Sequence, residues 1–181
     1  MPALPTDLLH EWHDFYLLVG TASGTLVGLM FVAASIGTSI FNEKHSAPMK
    51  AFLTPTVVHF SAALFTCLLL TIPTHSWWTL AALLGAGGLA GSIYCAGILT
   101  RVVFQHRFEV DMTDQLFYAI IPLIGYLLAL ISAVLLVMQS PLSAELIAAA
   151  LLTLLFAGIR NAWDMTVWMM IRTPGVGRPP S

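Results

Sequence analysis

The chain has 181 residues, of which 58% are hydrophobic and only 9% are charged. A soluble domain carries roughly 25% charged residues, so this composition excludes a water-soluble fold and indicates that lipid surrounds most of the chain. The net charge of -2 excludes a basic surface of the kind that binds nucleic acid.

Residues 1–14 predict a short amphipathic helical extension at the outer membrane surface. The polar residues on one of its faces are Asp7, His10, Glu11 and Asp14. This face favours an interfacial helix, or a cation-attracting mouth if it is repeated around the axis of an oligomer. A third interpretation is a metal site, because His10, His13 and Asp14 have the i, i+3, i+4 spacing that can bring ligands together on a helix.

The first apolar stretch, residues 15–40, is long enough to cross a bilayer. One face of the predicted helix carries small and hydroxyl-bearing residues, namely Gly20, Thr21, Gly24, Gly28 and Ser35. Such residues allow close helix packing, within one molecule or in a homo-oligomer. The alternative is that this face lines an ion path.

Four further apolar stretches predict four more membrane-spanning helices. They cover residues 51–72, 77–104, 115–138 and 143–171. The breaks between them contain Pro48, Pro73 and Pro141. The sequence therefore predicts an all-α integral membrane bundle of about five helices. Residues 15–171 would form one transmembrane domain, followed by a disordered cytoplasmic tail at 172–181 that is rich in proline and glycine.

Glycines in the third and a proline in the fourth stretch have structural interpretations. The GAGGLAG segment at residues 85–91 formally matches a dinucleotide-binding pattern. No strand precedes it, so helix packing through Gly87 and Gly91 is the better interpretation. Pro122 predicts a mild kink near the start of the fourth helix.

Polar residues inside the apolar stretches define a candidate site. The fifth stretch contains Arg160, Asn161 and Asp164, and its two charged residues are one helical turn apart and can pair. His59 in the second stretch has a similar predicted depth. We expect these four residues to form one buried polar cluster, because charged groups in a span face the bundle interior or a wet cavity.

The basic residues predict the orientation in the membrane. Six of the seven fall on one side of the five spans, namely Lys44, Lys50, Arg101, Arg107, Arg172 and Arg178. Basic residues concentrate on the cytoplasmic side, so the N-terminus is predicted to lie outside and the C-terminus in the cytoplasm. The outer interface would then hold Trp12, Tyr16, Trp77 and Trp78, where aromatic side chains are enriched.

Two segments support a resemblance. EWHDFYLLVGTASGTLVGLMFVAASIG near the start and IRNAWDMTVWMM near the end resemble segments of a group of small bacterial inner-membrane proteins with no established activity. The resemblance covers about a third of the chain. It implies a multi-pass protein of the bacterial inner membrane and implies no reaction.

Three classes of function remain open at the level of sequence. The first is a small homo-oligomeric pore or transporter, which is the prediction adopted here. The second is an accessory or scaffold protein that binds another membrane protein. The third is a membrane enzyme or redox protein that holds a metal or haem through His10, His13, His59, His75 or His106. No nucleophile elbow, zincin motif or phosphate loop is present, so neither an enzymatic activity nor a resident cofactor is predicted. The expected partners are lipid and further copies of the chain.

Overall fold

In the computed structural model, residues 11–40, 46–72, 76–105 and 116–172 are described. The predicted outer extension before Glu11, including His10, and the predicted tail after Arg172 lie outside these residues.

Five helices, each long and apolar enough to cross a membrane, form the described structure. They are α1 (His13–Ile40), α2 (Ser46–Thr71), α3 (Trp77–Gln105), α4 (Ile121–Val137) and α5 (Leu142–Arg172). A π-helical turn, Leu116–Ile120, leads directly into α4. The described residues contain no β-strand. The prediction of an all-α membrane bundle is therefore confirmed. When the π-helical turn is counted with α4, four of the five spans match their predicted bounds to within two residues.

The second span differs most from its prediction, because α2 begins five residues earlier than expected, at Ser46. Pro48 consequently lies in the first turn of the helix and not in the preceding loop. A proline is tolerated there, since the first N–H groups of a helix have no partner within the helix.

The last helix of the chain occupies the centre of the bundle. Along the bundle, α1 packs on α2, α2 on α5, α5 on α4, and α4 on α3. Half of an 18-residue stretch of the α5 span is buried, against 17% of an 18-residue stretch of the α3 span. The buried face of α5 is rich in alanine, with Ala144, Ala148, Ala150 and Ala157. These small side chains let neighbouring helices approach α5 closely.

Glycines mark the other close approaches between helices. A Cβ atom added to Gly158 of α5 would lie 2.5 Å from the Phe60 ring of α2. A Cβ on Gly91 of α3 would lie 2.2 Å from the Tyr126 ring of α4, and one on Gly88 would lie 3.0 Å from the α4 backbone. The predicted contact through Gly87 is wrong, because no described atom lies within 4 Å of the corresponding position there.

The turn between α4 and α5 closes with a Schellman motif. Ser140 N–H donates to the Leu135 carbonyl at 2.9 Å, and Gln139 N–H donates to the Leu136 carbonyl at 3.1 Å. Gln139 has a φ of 55°, the left-handed conformation that this motif requires after the helix. The short turn makes α4 and α5 adjacent antiparallel helices.

Candidate functional site

His59 lies fully buried where α2, α3 and α4 meet. Its Nδ1 atom is 3.0 Å from the Tyr126 hydroxyl, and its ring centroid is 6.5 Å from that of Tyr94. Tyr126 reaches this position because Gly91 has no side chain and α3 can accept the phenol ring against its backbone. A glycine on α3 therefore places the partner of a histidine on α2.

Asn161 is also fully buried and connects α5 to the π-helical turn that leads into α4. Its Nδ2 donates to the Phe117 carbonyl at 3.3 Å, and the Tyr118 hydroxyl donates to the Asn161 carbonyl at 3.4 Å. In the π-helical register the Phe117 carbonyl would pair with residue 122, which is a proline without an N–H. Asn161 thus supplies a donor to a carbonyl that Pro122 cannot pair.

Arg160 and Asp164 form an ion pair on the edge of α5. The Arg160 guanidinium lies 5.3 Å from the Phe117 ring centroid, over its face, within the range of a cation–π interaction. The side chains of Arg160 and Asp164 are 35% and 28% exposed, so the pair is only partly buried. Its contacts attach α5 to the same π-helical turn that Asn161 holds.

The residues of the predicted polar cluster fall into two groups. Arg160, Asn161 and Asp164 lie along the contact between α5 and the π-helical turn. Among the described residues, the hydrogen-bond partner of His59 is Tyr126 and not a member of that group. A single cluster of all four residues stays a prediction.

The sequence did not indicate three residues that contact the buried polar side chains, namely Phe117, Tyr118 and Tyr126. Pro122 was a usable signal for the first two, because a proline in a span leaves a carbonyl that needs a donor from another helix. Tyr126 had no comparable signal, since its role depends on which helix faces Gly91.

The glycines of α1 are divided between two environments. A Cβ on Gly20 would lie 3.1 Å from Cys67 of α2, and one on Gly24 would lie 3.7 Å from Leu64, whereas Gly28 has no described atom within 4 Å. The reason is geometric: a four-residue step turns about 40° beyond a full helical turn. The series therefore rotates away from α2. A groove of about 300 Å³ lies between the two helices, and its α1 side includes Gly20, Thr21, Gly24 and Thr25.

A different row of α1 residues stays in line along the helix and is uncovered throughout. We call it the exposed stripe, and its members are Asp14, Leu18, Thr21, Thr25, Gly28, Val32 and Ser35, all exposed. Their spacing alternates between four and three residues, which keeps them on one side of the helix. Two of the predicted stripe residues, Gly20 and Gly24, belong instead to the contact with α2.

Hydroxyl groups of the exposed stripe are already bonded as donors. Thr21 donates to the Leu17 carbonyl at 2.8 Å, and Thr25 donates to the Thr21 carbonyl at 2.9 Å. Ser35 donates to the Phe31 carbonyl at 2.9 Å. A hydroxyl oxygen that donates its proton still has lone pairs, so the stripe presents acceptors, methyl groups and a glycine.

The outer end of α1 carries the described part of the predicted mouth or metal site. Glu11 and Asp14 are exposed, and His13 is partly exposed. The described residues hold no group of three or more His, Cys, Asp or Glu side chains that could bind a metal ion. The metal prediction includes His10, which lies outside the described residues.

Comparison with known proteins yields no assignment: the chain matches no protein family, no curated protein and no solved structure.

Proposed function

We propose that this chain forms a homo-oligomeric pore in the bacterial inner membrane, with the exposed stripe of α1 facing the axis of the oligomer. The observation that carries the proposal is the uncovered row of small and hydroxyl-bearing residues along the length of α1. The orientation proposed is the one that the basic residues predict, with the acidic end of α1 on the extracytoplasmic side of the membrane.

The spacing of the exposed stripe suits association with another helix. Alternating steps of three and four residues are typical of left-handed helix pairs with a crossing angle of about 20°. Thr21, Thr25 and Gly28 at the centre of the stripe are small enough for close approach of a neighbouring helix. On a single bundle these residues face lipid, which gains nothing from their small size, whereas a second copy of α1 would gain packing contacts.

The chemistry of the exposed stripe suits cations. Asp14 lies at its outer end, with Glu11 exposed close by, and repetition around an axis would concentrate cations at this entrance. Further along, the hydroxyl oxygens of Thr21 and Thr25 keep lone pairs that can accept a hydrogen bond or coordinate a cation. Leu18 and Val32 would supply the apolar narrowings that limit passage.

The test combines oligomeric state with water access to the stripe. Thr25→Cys is prepared in a background with Cys67→Ala and Cys95→Ala, reconstituted in vesicles, and treated with a membrane-impermeant thiol reagent. We expect labelling at position 25 and a purified oligomer. The matched control is Ile93→Cys on α3, which is 64% exposed but lies on a different helix from the exposed stripe, and which should face lipid and stay unlabelled.

Cation flux into vesicles supplies the functional measurement. Asp14→Asn should lower the flux of a monovalent cation several-fold without changing the oligomeric state, because the entrance loses its negative charge. A monomer, or an oligomer in which position 25 is as inert as position 93, would contradict the pore. A stable monomer would instead favour the accessory class, in which the same stripe binds a helix of another membrane protein.

A further inference from the structure

Two fully buried polar atoms on neighbouring helices have no hydrogen-bond partner in the described part of the chain. One is Nε2 of His59 on α2, and the other is Oδ1 of Asn161 on α5. Each side chain is held at its other polar atom, His59 by Tyr126 and Asn161 by the Phe117 carbonyl. Buried polar atoms are paired in most proteins, because an unpaired one destabilises the fold.

The bond to Tyr126 determines which histidine nitrogen carries the proton. The Tyr126 hydroxyl has one hydrogen-bond partner among the described residues, His59 Nδ1. If the hydroxyl donates, Nδ1 accepts and the ring proton sits on Nε2. The opposite arrangement would leave the buried phenol proton without an acceptor as well, so it is the more costly of the two. His59 Nε2 is therefore an unpaired donor.

Asn161 supplies the complementary group. Its Nδ2 must face the Phe117 carbonyl, because two carbonyl oxygens cannot bond to each other. Its Oδ1 is then an unpaired acceptor on α5. The two unpaired groups thus consist of one donor and one acceptor.

The packing of α2 on α5 places these groups on the same side of one helix contact. Phe60 and Gly158 are in direct contact between the two helices. His59 precedes Phe60 by one residue and Asn161 follows Gly158 by three. Because α2 and α5 are antiparallel, both displacements run in the same direction along the bundle. His59 bonds to Tyr126 of α4, and Asn161 bonds to the π-helical turn that leads into α4, so both side chains lie against the same neighbouring segment.

We infer that a water molecule binds between His59 and Asn161, accepting a hydrogen bond from Nε2–H and donating one to Oδ1. Buried waters typically bridge polar groups that would otherwise be unpaired. The water completes a hydrogen-bonded chain from Tyr126 through His59 and Asn161 to the Phe117 carbonyl, linking α2, α4 and α5. This site lies within one bundle and does not depend on the proposed oligomer.

Nuclear magnetic resonance of protein labelled with ¹⁵N-histidine tests the site without any change at the site. The His59 signals are identified by their loss in His59→Gln. We expect a ring that is protonated at Nε2, with a cross-peak between that proton and water. A ring protonated at Nδ1, or an Nε2 proton without a water cross-peak, would overturn the inference.

A variant then tests the second ligand of the water. Asn161→Leu removes Oδ1, so the water cross-peak of His59 should be lost. The control is Thr166→Val, five residues after Asn161 on the exposed face of α5, where the hydroxyl donates to the Ala162 carbonyl. It should leave the cross-peak unchanged. An unchanged cross-peak in folded Asn161→Leu would show that the water has a different partner and would overturn the assignment of Asn161.

Discussion

At the residue scale, the absence of a side chain at certain glycines allows neighbouring helices to come into contact. Gly87 and Gly91 belong to the same glycine-rich segment of α3, yet only Gly91 faces another helix. The Tyr126 ring occupies the space where a side chain at position 91 would lie. Since Tyr126 bonds to His59, the size of residue 91 also controls the position of a buried histidine that it does not bond.

We therefore expect Gly91→Ala to destabilise the bundle and Gly87→Ala to leave it nearly unchanged. The alanine at 91 must displace an aromatic ring that is packed between helices, at a cost of about 1–3 kcal/mol. The alanine at 87 meets open space. Unfolding in detergent, monitored by circular dichroism, measures both variants. Equal stability of the two variants would contradict the close contact between α3 and Tyr126.

At the element scale, the helices could be predicted from the sequence, but their contacts could not. An apolar run of about 20 residues in lipid must pair all of its backbone groups within the segment, so its length and composition suffice to identify a helix. The rotation of each helix about its axis has no such signal in an almost uniformly apolar sequence. The predicted stripe accordingly mixed Gly20 and Gly24, which face α2, with Thr21, Gly28 and Ser35, which are exposed.

In the candidate site, likewise, a contact within one helix could be predicted from the sequence, but a contact between helices could not. The pairing of Arg160 with Asp164 follows from their spacing on one helix, and it is present. The depth of His59 allowed a contact with Asp164, but depth does not decide between neighbouring helices. Among the described residues His59 bonds to Tyr126 on α4, and its place in one cluster with Asp164 stays a prediction.

The contact between α5 and the π-helical turn gives a prediction for the ion pair. Arg160→Leu and Asp164→Leu should each lower stability by about 1–3 kcal/mol, because each leaves one charge without its partner. The double variant should recover part of this loss. Unfolding in detergent measures all three variants, with Thr166→Val as a control on the same helix. Losses that simply add in the double variant would show that the two residues do not stabilise each other.

At the scale of the whole molecule, the five spans found in the described residues would place the two ends of the chain on opposite sides of the membrane. The direction of α1 then decides which side the acidic end of the exposed stripe faces. In the five-span topology predicted from the sequence, six of the seven basic residues fall on the side opposite to that end. The asymmetry in Lys and Arg is the feature that sets orientation during insertion.

We expect a reporter that is active only in the cytoplasm to be active when fused after Ser181 and inactive when inserted at His75. Residue 75 lies between α2 and α3, two residues before Trp77, on the side with no Lys or Arg in its loops. An insertion at Glu43, between α1 and α2, serves as the internal control, since it lies beside Lys44 and should report the cytoplasm. A reporter active only outside should give the opposite result at each position.

Activity of the cytoplasmic reporter at His75 together with inactivity after Ser181 would reverse the orientation, and Asp14 would then face the cytoplasm. The same result at His75 and Glu43 would mean that α2 does not cross the membrane, which would remove the five-span arrangement itself.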